Sequence, residues 1–299
     1  MKKSTRRLLF YALVLVFLGL SGWLALRAQG FSFDFQVGAL RERGALFLRI
    51  VPANAAIYLD GERYESSGGV FRSQAFITEL APGAHQVIVV KDGYHRWEKS
   101  FIVEALEVVD AATIRLFPRA PTISPIGPIS PASPIGGATS TEALLTFERS
   151  RRRLPITASS TLATLNLHPI PNTKYQIPNT ILYRDLLLSP DEKKVLVRAR
   201  NELWVIWLKK ERLNGIHQPG ETEQIASFAE NITDALWPPG DSHHVIFASE
   251  GRIRAAETDG RGSRNTVDLL EAQDVRFFID PATKGIMFTA ENNLFRLEL

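Results

Sequence analysis

The distribution of apolar positions changes character twice along this chain. Residues Leu8–Leu26 (LLFYALVLVFLGLSGWLAL) form one uncharged apolar run, preceded by Lys2, Lys3, Arg6 and Arg7 and closed by Arg27. At about 1.5 Å of rise per residue the run covers roughly 28 Å, close to the hydrocarbon thickness of a bilayer. It predicts a transmembrane helix over 8–27. The basic head, 1–7, stays cytoplasmic and the rest of the chain lies outside the membrane. The competing reading is a cleaved secretory signal. The run is long for that role, and Trp23 and Leu26 stand where a small residue two before Ala25 or Ala28 would favour cleavage. Both readings export the remainder.

Beyond Arg27 the apolar residues come in short or alternating runs. Residues 28–43 form a juxtamembrane segment in which Phe31, Phe33 and Phe35 alternate. From 44 to 117, Leu46–Val51, Ala56–Leu59, His85–Val90, Phe101–Val103 and Ala112–Leu116 read as strands. Turn signals separate them at Asp60-Gly61, Pro82-Gly83 and Asp92-Gly93. Residues 118–140 (PRAPTISPIGPISPASPIGGATS) are rich in Pro, Ser and Gly. Proline fixes φ and removes a donor, so an extended spacer is expected there, with the β units on either side independent of each other. Residues 141–299 return to short strands and turns. The best helical candidate outside the anchor is Thr266–Gln273. The fold class is therefore mainly β.

The last region is a degenerate repeat. Leu186–Leu208, Ala235–Gly260 and Phe277–Leu299 each show an apolar strand, a turn with proline, a second strand, a polar turn and a third strand. Pro190, Pro239 and Pro281 mark the register. Thr141–Leu167 is a weaker candidate, with strands at Ala143–Phe147 and Leu162–Leu167. Units of about 40–50 residues built of short strands are typical of propeller blades. With three or four units, an incomplete propeller or an open sandwich stands beside a closed ring.

Charge and composition remove function classes. Five of the 35 Lys and Arg fall in residues 1–30, which hold no acid. The exported part therefore carries 30 basic against 32 acidic residues and gives no electrostatic case for nucleic acid. The chain has no cysteine, which excludes disulfides, thiolate chemistry and Cys-based metal sites.

Residues 44–117 resemble the PEGA domain, a small β-sandwich module. The matching residues are Pro52, Ala55, Tyr58, Asp60-Gly61, Leu80, Pro82-Gly83, His85, Val87, Val89 and Gly93-Tyr94, with the closing strand to Leu116. The family's namesake Glu-Gly is Ala53-Asn54 here, and its short link is replaced by Arg63–Gln74, where a longer, mobile loop is expected. The resemblance implies an exported or membrane-tethered β module without catalytic residues. The later repeats resemble blades of TolB-like propellers, whose loop reads Ser-Pro-Asp-Gly-Lys. Ser189-Pro190-Asp191 matches it, with Glu192 in place of the glycine.

Motifs for chemistry are sparse. No phosphate loop, Gly-x-Gly-x-x-Gly after a strand, His-Glu-x-x-His or Gly-x-Ser-x-Gly occurs, so no catalytic, cofactor or metal residues are assigned. His243 and His244 are adjacent, so a strand would point them to opposite faces. Asp185, Asp191, Asp234, Asp241, Asp259 and Asp280 are expected mostly as turn caps. Two clusters remain as ligand contacts. Tyr94, His95, Arg96 and Trp97 offer aromatic stacking and hydrogen bonding to a sugar. Arg151, Arg152 and Arg153, beside Arg149, offer cations to an anionic polymer or lipid headgroup. The blander readings are a hairpin edge and a solvated turn. The expected function is a non-enzymatic, membrane-anchored, extracytoplasmic binding or scaffolding protein of the bacterial cell envelope. Its expected partners are wall polymer, surface glycan or another envelope protein, without nucleic acid. The alternatives are an envelope hydrolase with its site at the mouth of the blades, or a sensory ectodomain. The latter is disfavoured because the residues before Leu8 leave no room for a cytoplasmic output domain.

Overall fold

The computed structural model describes residues 3–28, 31–34, 39–64, 73–128, 184–211 and 217–299. The N-terminal apolar run forms α1 (Lys3–Ala28). Its Arg6–Ala28 stretch has a mean hydropathy of 2.2, and the other described residues bury none of its apolar window. The helix is therefore apolar all round and unpacked, long enough to cross a membrane as an anchor or to act as a signal sequence. A hairpin of β1 (Phe31–Asp34) and β2 (Ala39–Glu42) follows it. Phe35 of the expected aromatic alternation lies outside the described residues.

The next seven strands make a two-sheet sandwich. They are β3 (Gly44–Val51), β4 (Ala56–Leu59), β5 (Glu62–Tyr64), β6 (Gln74–Leu80), β7 (Gly83–Val90), β8 (Trp97–Val103) and β9 (Val108–Arg115). One sheet runs β6-β3-β9 and the other β5-β4-β7-β8. Only the β3–β9 pairing is parallel. The alternation read from the sequence becomes the core: Leu46, Leu48 and Ile50 meet Val87, Val89, Trp97 and Phe101 between the sheets. Asp60 and Gly61 both take positive φ, 51° and 86°, and close the two-residue β4–β5 hairpin. Most of the loop expected between Arg63 and Gln74 lies outside the described residues.

Three four-stranded antiparallel sheets follow. The first holds β11 (Asp185–Leu188), β12 (Lys194–Arg198), β13 (Glu202–Trp207) and β14 (Thr222–Ser227). The second holds β15 (Ile232–Leu236), β16 (His244–Ser249), β17 (Arg252–Glu257) and β18 (Thr266–Glu271). The third holds β19 (Arg276–Ile279), β20 (Ile286–Ala290) and β21 (Asn293–Glu298). Its fourth strand is β10 (Thr122–Pro128), which comes from far earlier in the chain and pairs antiparallel with β21. Pro190, Pro239 and Pro281 each lie in the turn after the first strand of their sheet, as the repeat predicts. Every residue of β12 and β16 is buried. Their unbroken apolar runs follow from neighbours on both faces. One core joins the first and second sheets through Leu196, Val205, Trp237 and Phe247, and another joins the second and third through Ile246, Ile253, Phe277 and Phe288. No closed barrel forms among the described residues.

Two expectations change here. Thr266–Gln273 is no helix: Thr266–Glu271 is β18, paired with β17 from Arg252↔Glu271 to Ala256↔Thr266. The segment 118–140 is not wholly a spacer, since 122–128 completes the third sheet. Pro125 and Pro128 are tolerated because β10 is an edge strand, where missing donors face solvent. The weak repeat at Thr141–Leu167 lies outside the described residues.

Because consecutive strands within each meander return antiparallel, turns alternate between two ends. One end carries the turns 189–193, 237–243, 258–265 and 280–285. The opposite end carries 199–201, 228–231, 250–251, 272–275 and 291–292.

Candidate functional site

The sandwich docks against the first of these ends. Trp97, Lys99, Phe101 and Val103 share the inward parity of β8, and all four are buried. Lys99 is a cation in an apolar stripe. Its Nζ lies 2.7 Å from Glu257 Oε1 and 3.5 Å from Asp259 Oδ2, and donates to the Asp259 carbonyl at 2.8 Å. Trp97 Nε1 donates to Glu257 Oε2 at 3.0 Å. Asn265 receives the Glu98 N–H at 3.2 Å and donates to the Glu98 carbonyl at 3.1 Å, so the 258–265 turn pairs with the β8 backbone. Arg261 donates to the Asp110 carbonyl at 2.9 Å and lies 5.1 Å over the Phe101 ring. Burial pushes the Asp259 carboxyl up, but the Arg261 hydrogen bond and the Lys99 and Arg261 charges outweigh it and hold it below the usual carboxylate range. The end of β17 and the turn after it thus supply anions where the sandwich presents a desolvated lysine, which burial without a partner would forbid.

A second contact lies beside it. Arg115 Nε sits 3.2 Å from Asp241 Oδ2, and Phe117 meets the His244 ring edge-on at 5.5 Å. Asp241 accepts the His243 and His244 N–H groups at 2.8 and 3.1 Å and pairs with His244 Nδ1 at 3.0 Å. Burial opposes its ionisation, but the charge and hydrogen bond of His244, then the Arg115 charge, outweigh it and hold the carboxyl well below the usual carboxylate range. The two β units therefore meet through buried charge, a contact that the reading of 118–140 as a spacer between independent units did not anticipate.

These contacts place the residues of the expected sugar platform. Trp97 is 4% exposed, stacked on Phe101 at a centroid distance of 6.2 Å, so it has no face for a sugar. Tyr94 bridges Pro118 through its backbone, and Lys91 covers its ring at 5.6 Å. Arg96 is exposed and paired with Glu98 at 2.6 Å. His95 donates its backbone N–H to the Phe117 carbonyl, and its Nε2 is buried without a partner beside a gap of about 10 Å³. Burial, then the Arg119 charge, lowers its basicity. Of the four, Trp97 is buried in the junction, Tyr94 and His95 are half-buried beside it, and Arg96 is exposed. The parity of β8, with Trp97 in phase with Phe101 and Val103, was the available signal. Arg151, Arg152 and Arg153 lie outside the described residues.

The turn acids divide in two. Asp191 Oδ1 accepts Lys193 N at 3.2 Å, Asp259 Oδ1 accepts Arg261 N at 3.0 Å and Asp280 Oδ1 accepts Ala282 N at 2.9 Å, as caps should. Asp185 and Asp234 instead lie in strands. Asp185 pairs with Arg198, which also donates to the Ile232 carbonyl of the next sheet at 2.9 Å. Asp234 Oδ2 accepts Phe277 N from the third sheet at 2.7 Å. No group of three or more metal-ligating side chains gathers among the described residues.

Among the described residues, nothing covers the end facing away from the sandwich. A cavity of about 410 Å³ lies there among the turns at 199–201, 228–231, 250–251 and 272–275. Arg200, Glu230, Asn231, Glu250, Gln273 and Asp274 supply its polar groups. Arg200 Nε is oriented by Asn231 Oδ1 at 2.8 Å. Glu250 is held by Arg254 Nη2 at 3.1 Å. The Arg254 guanidinium lies 4.7 Å over the Phe228 ring and also pairs with Asp268 at 2.8 Å. One cation and three carboxylates thus face a space of ligand size with almost no aromatic wall. No sequence motif marked these residues, because they come from one turn in each of the first two sheets and from the two links that join the three sheets.

A family model of the PEGA domain matches residues 43–116, which are β3–β9 with one residue at either side. No curated protein matches the chain. The PEGA match fits an extracellular or surface-associated domain behind an N-terminal apolar helix.

Proposed function

We propose that this chain is a membrane-anchored, extracytoplasmic binding or scaffolding protein of the bacterial cell envelope, without enzymatic activity. In this reading α1 is the retained anchor, with the N-terminus cytoplasmic. The PEGA-like sandwich stands next to the membrane, and the three meander sheets are propeller-like blades that carry the recognition surface. One observation supports it above the rest: buried charge fixes the sandwich against one end of the blades and leaves the polar cavity at the opposite end. A scaffold that must hold a ligand away from the membrane needs that polarity, and needs no reactive group. Partners that fit are polar and hydrogen-bonding, such as wall polymer, surface glycan or a segment of another envelope protein.

The full chain in nanodiscs should bind a member of a panel of envelope glycans and peptides. Arg200→Ala and Asp274→Ala should each weaken that binding at least tenfold with unchanged circular dichroism. Binding that survives both variants would remove the cavity from the reading.

A hydrolase is the second reading, favoured by Glu230, Glu250 and Asp274 lining one space. Against it, Glu250 is already neutralised by Arg254. Turnover of a glycan or ester that persists through repurification and disappears in Glu230→Gln would favour this reading over the scaffold.

A further inference from the structure

We propose that the β8–β9 turn is a membrane-contacting tip, whose Ile102, Leu106 and Val108 side chains sit in the interfacial layer of the bilayer. The proposal rests on the reading of α1 as an anchor in that same bilayer. The three residues are 75, 49 and 53% exposed and fall within seven positions of one another. Leu106 has a φ of 62°, in the left-handed region. That conformation disfavours side chains generally and is adopted with least strain by Gly or Asn. At an exposed left-handed turn position, both hydration and backbone strain argue against leucine. Neither packing nor turn geometry accounts for it, whereas an apolar phase at the tip would.

The position of the tip identifies that phase. Leu106 N donates to the Arg43 carbonyl at 3.1 Å, and Ala45 N donates to the Glu107 carbonyl at 2.9 Å. Between them, Gly44 approaches so closely that a Cβ would stand 2.5 Å from the Glu104 carbonyl oxygen. The tip is therefore fastened to the stretch of chain that arrives from α1 through the β1–β2 hairpin. Arg27, in the last turn of α1, pairs with Glu79 of β6, and Leu80 beside it pairs with Gly44. The same end of the sandwich thus holds the helix terminus and the exposed aliphatic residues. Glu104 and Glu107 flank the tip, so the contact is shallow apolar insertion and not attraction to anionic headgroups.

The absence of cysteine makes the test direct. Single cysteines replace Leu106, Val108, Val14 in α1, or Glu230 at the far cavity, each in the full chain. They carry a nitroxide and are reconstituted in phosphatidylcholine vesicles, with power-saturation spectra taken against oxygen and an aqueous nickel chelate. Val108→Cys guards against a Leu106→Cys variant that misfolds. Labels at 106 and 108 should be reached better by oxygen than by nickel, like the label at 14 and unlike that at 230. Labels at 106 and 108 that see mainly nickel, with 14 in lipid, would overturn the tip and leave the anchor standing. A label at 14 that sees mainly nickel would overturn the anchor reading and the tip with it. Shielding of 106 and 108 from both reagents would mark a protein partner at the tip and equally overturn the proposal.

Discussion

Gly262 stands at φ 64° in the turn that plugs the sandwich, and a Cβ there would lie 2.6 Å from the Ser100 carbonyl oxygen. Both the strain and the clash fall on a substituted side chain, and the clash is with backbone that cannot swing aside. Gly262→Ala should therefore destabilise the protein by about 1–3 kcal/mol, read as a shifted urea midpoint. His85 is a milder case. Its Nδ1 meets Asp60 Oδ2 at 2.6 Å and its Nε2 meets the Ala81 carbonyl at 2.7 Å. Burial lowers its basicity, but the Ala81 carbonyl and Asp60 outweigh burial and raise it. Burial raises the Asp60 carboxyl, and the hydrogen bonds from His85 and Gln86 N more than reverse that. The raised histidine stabilises below its unfolded value, near 6.5, and loses that as pH rises through its folded value. The depressed carboxyl stabilises above its unfolded value, near 3.9, and loses that as pH falls. The gap in melting temperature between the wild type and His85→Gln should peak between about pH 4 and 6.5 and shrink above it. The Asp60-Gly61 turn was legible because two-residue hairpins demand positive φ. The ligands of Lys99 were not, since Glu257 and Asp259 lie roughly 160 positions away and follow no local rule.

At the scale of elements, the strands follow from alternation and the sheets from proline-marked turns, but the ties between sheets do not. Asp234 is the clearest example. A sequence reading makes it a turn cap, yet it lies in β15 and accepts the Phe277 N–H of the next sheet's first strand. Asp234→Ala would remove that buried donor's carboxylate acceptor, and its cost should be about 1–3 kcal/mol, larger than for a half-buried cap such as Asp280→Ala. Amide exchange at Phe277 should rise in Asp234→Ala and not in Asp280→Ala. Two elements were hidden for different reasons. The Thr266–Glu271 segment has an apolar spacing that suits two helical turns, and pairing with β17 overrides it. The Thr122–Pro128 segment reads as spacer because its prolines are poor strand residues, and only its place at a sheet edge makes them acceptable.

For the molecule as a whole, the junction sets how it unfolds. Lys99→Met leaves Glu257 and Asp259 without their buried cation and should cost about 3–5 kcal/mol. If the buried contacts couple the two β units, the wild type should melt in one calorimetric transition and Lys99→Met in two. Two transitions in the wild type would show that the junction adds little coupling. Coupling of this kind is invisible to domain reading by composition, which treats a proline-rich stretch as a boundary and cannot see charges that meet across it. The pairing of β10 with β21 has a consequence of its own for how the chain is made. Synthesis runs from the N-terminus, so β10 emerges while its partner is still 165 residues away. At about 5–20 residues per second the interval is on the order of ten seconds or more. Throughout it, β10 is a strand with nothing to hold, one of the four that the third sheet needs. The prolines in β10 then do a second service, because a strand missing the donors of Pro125 and Pro128 is a poorer template for the wrong neighbour while it waits for the right one.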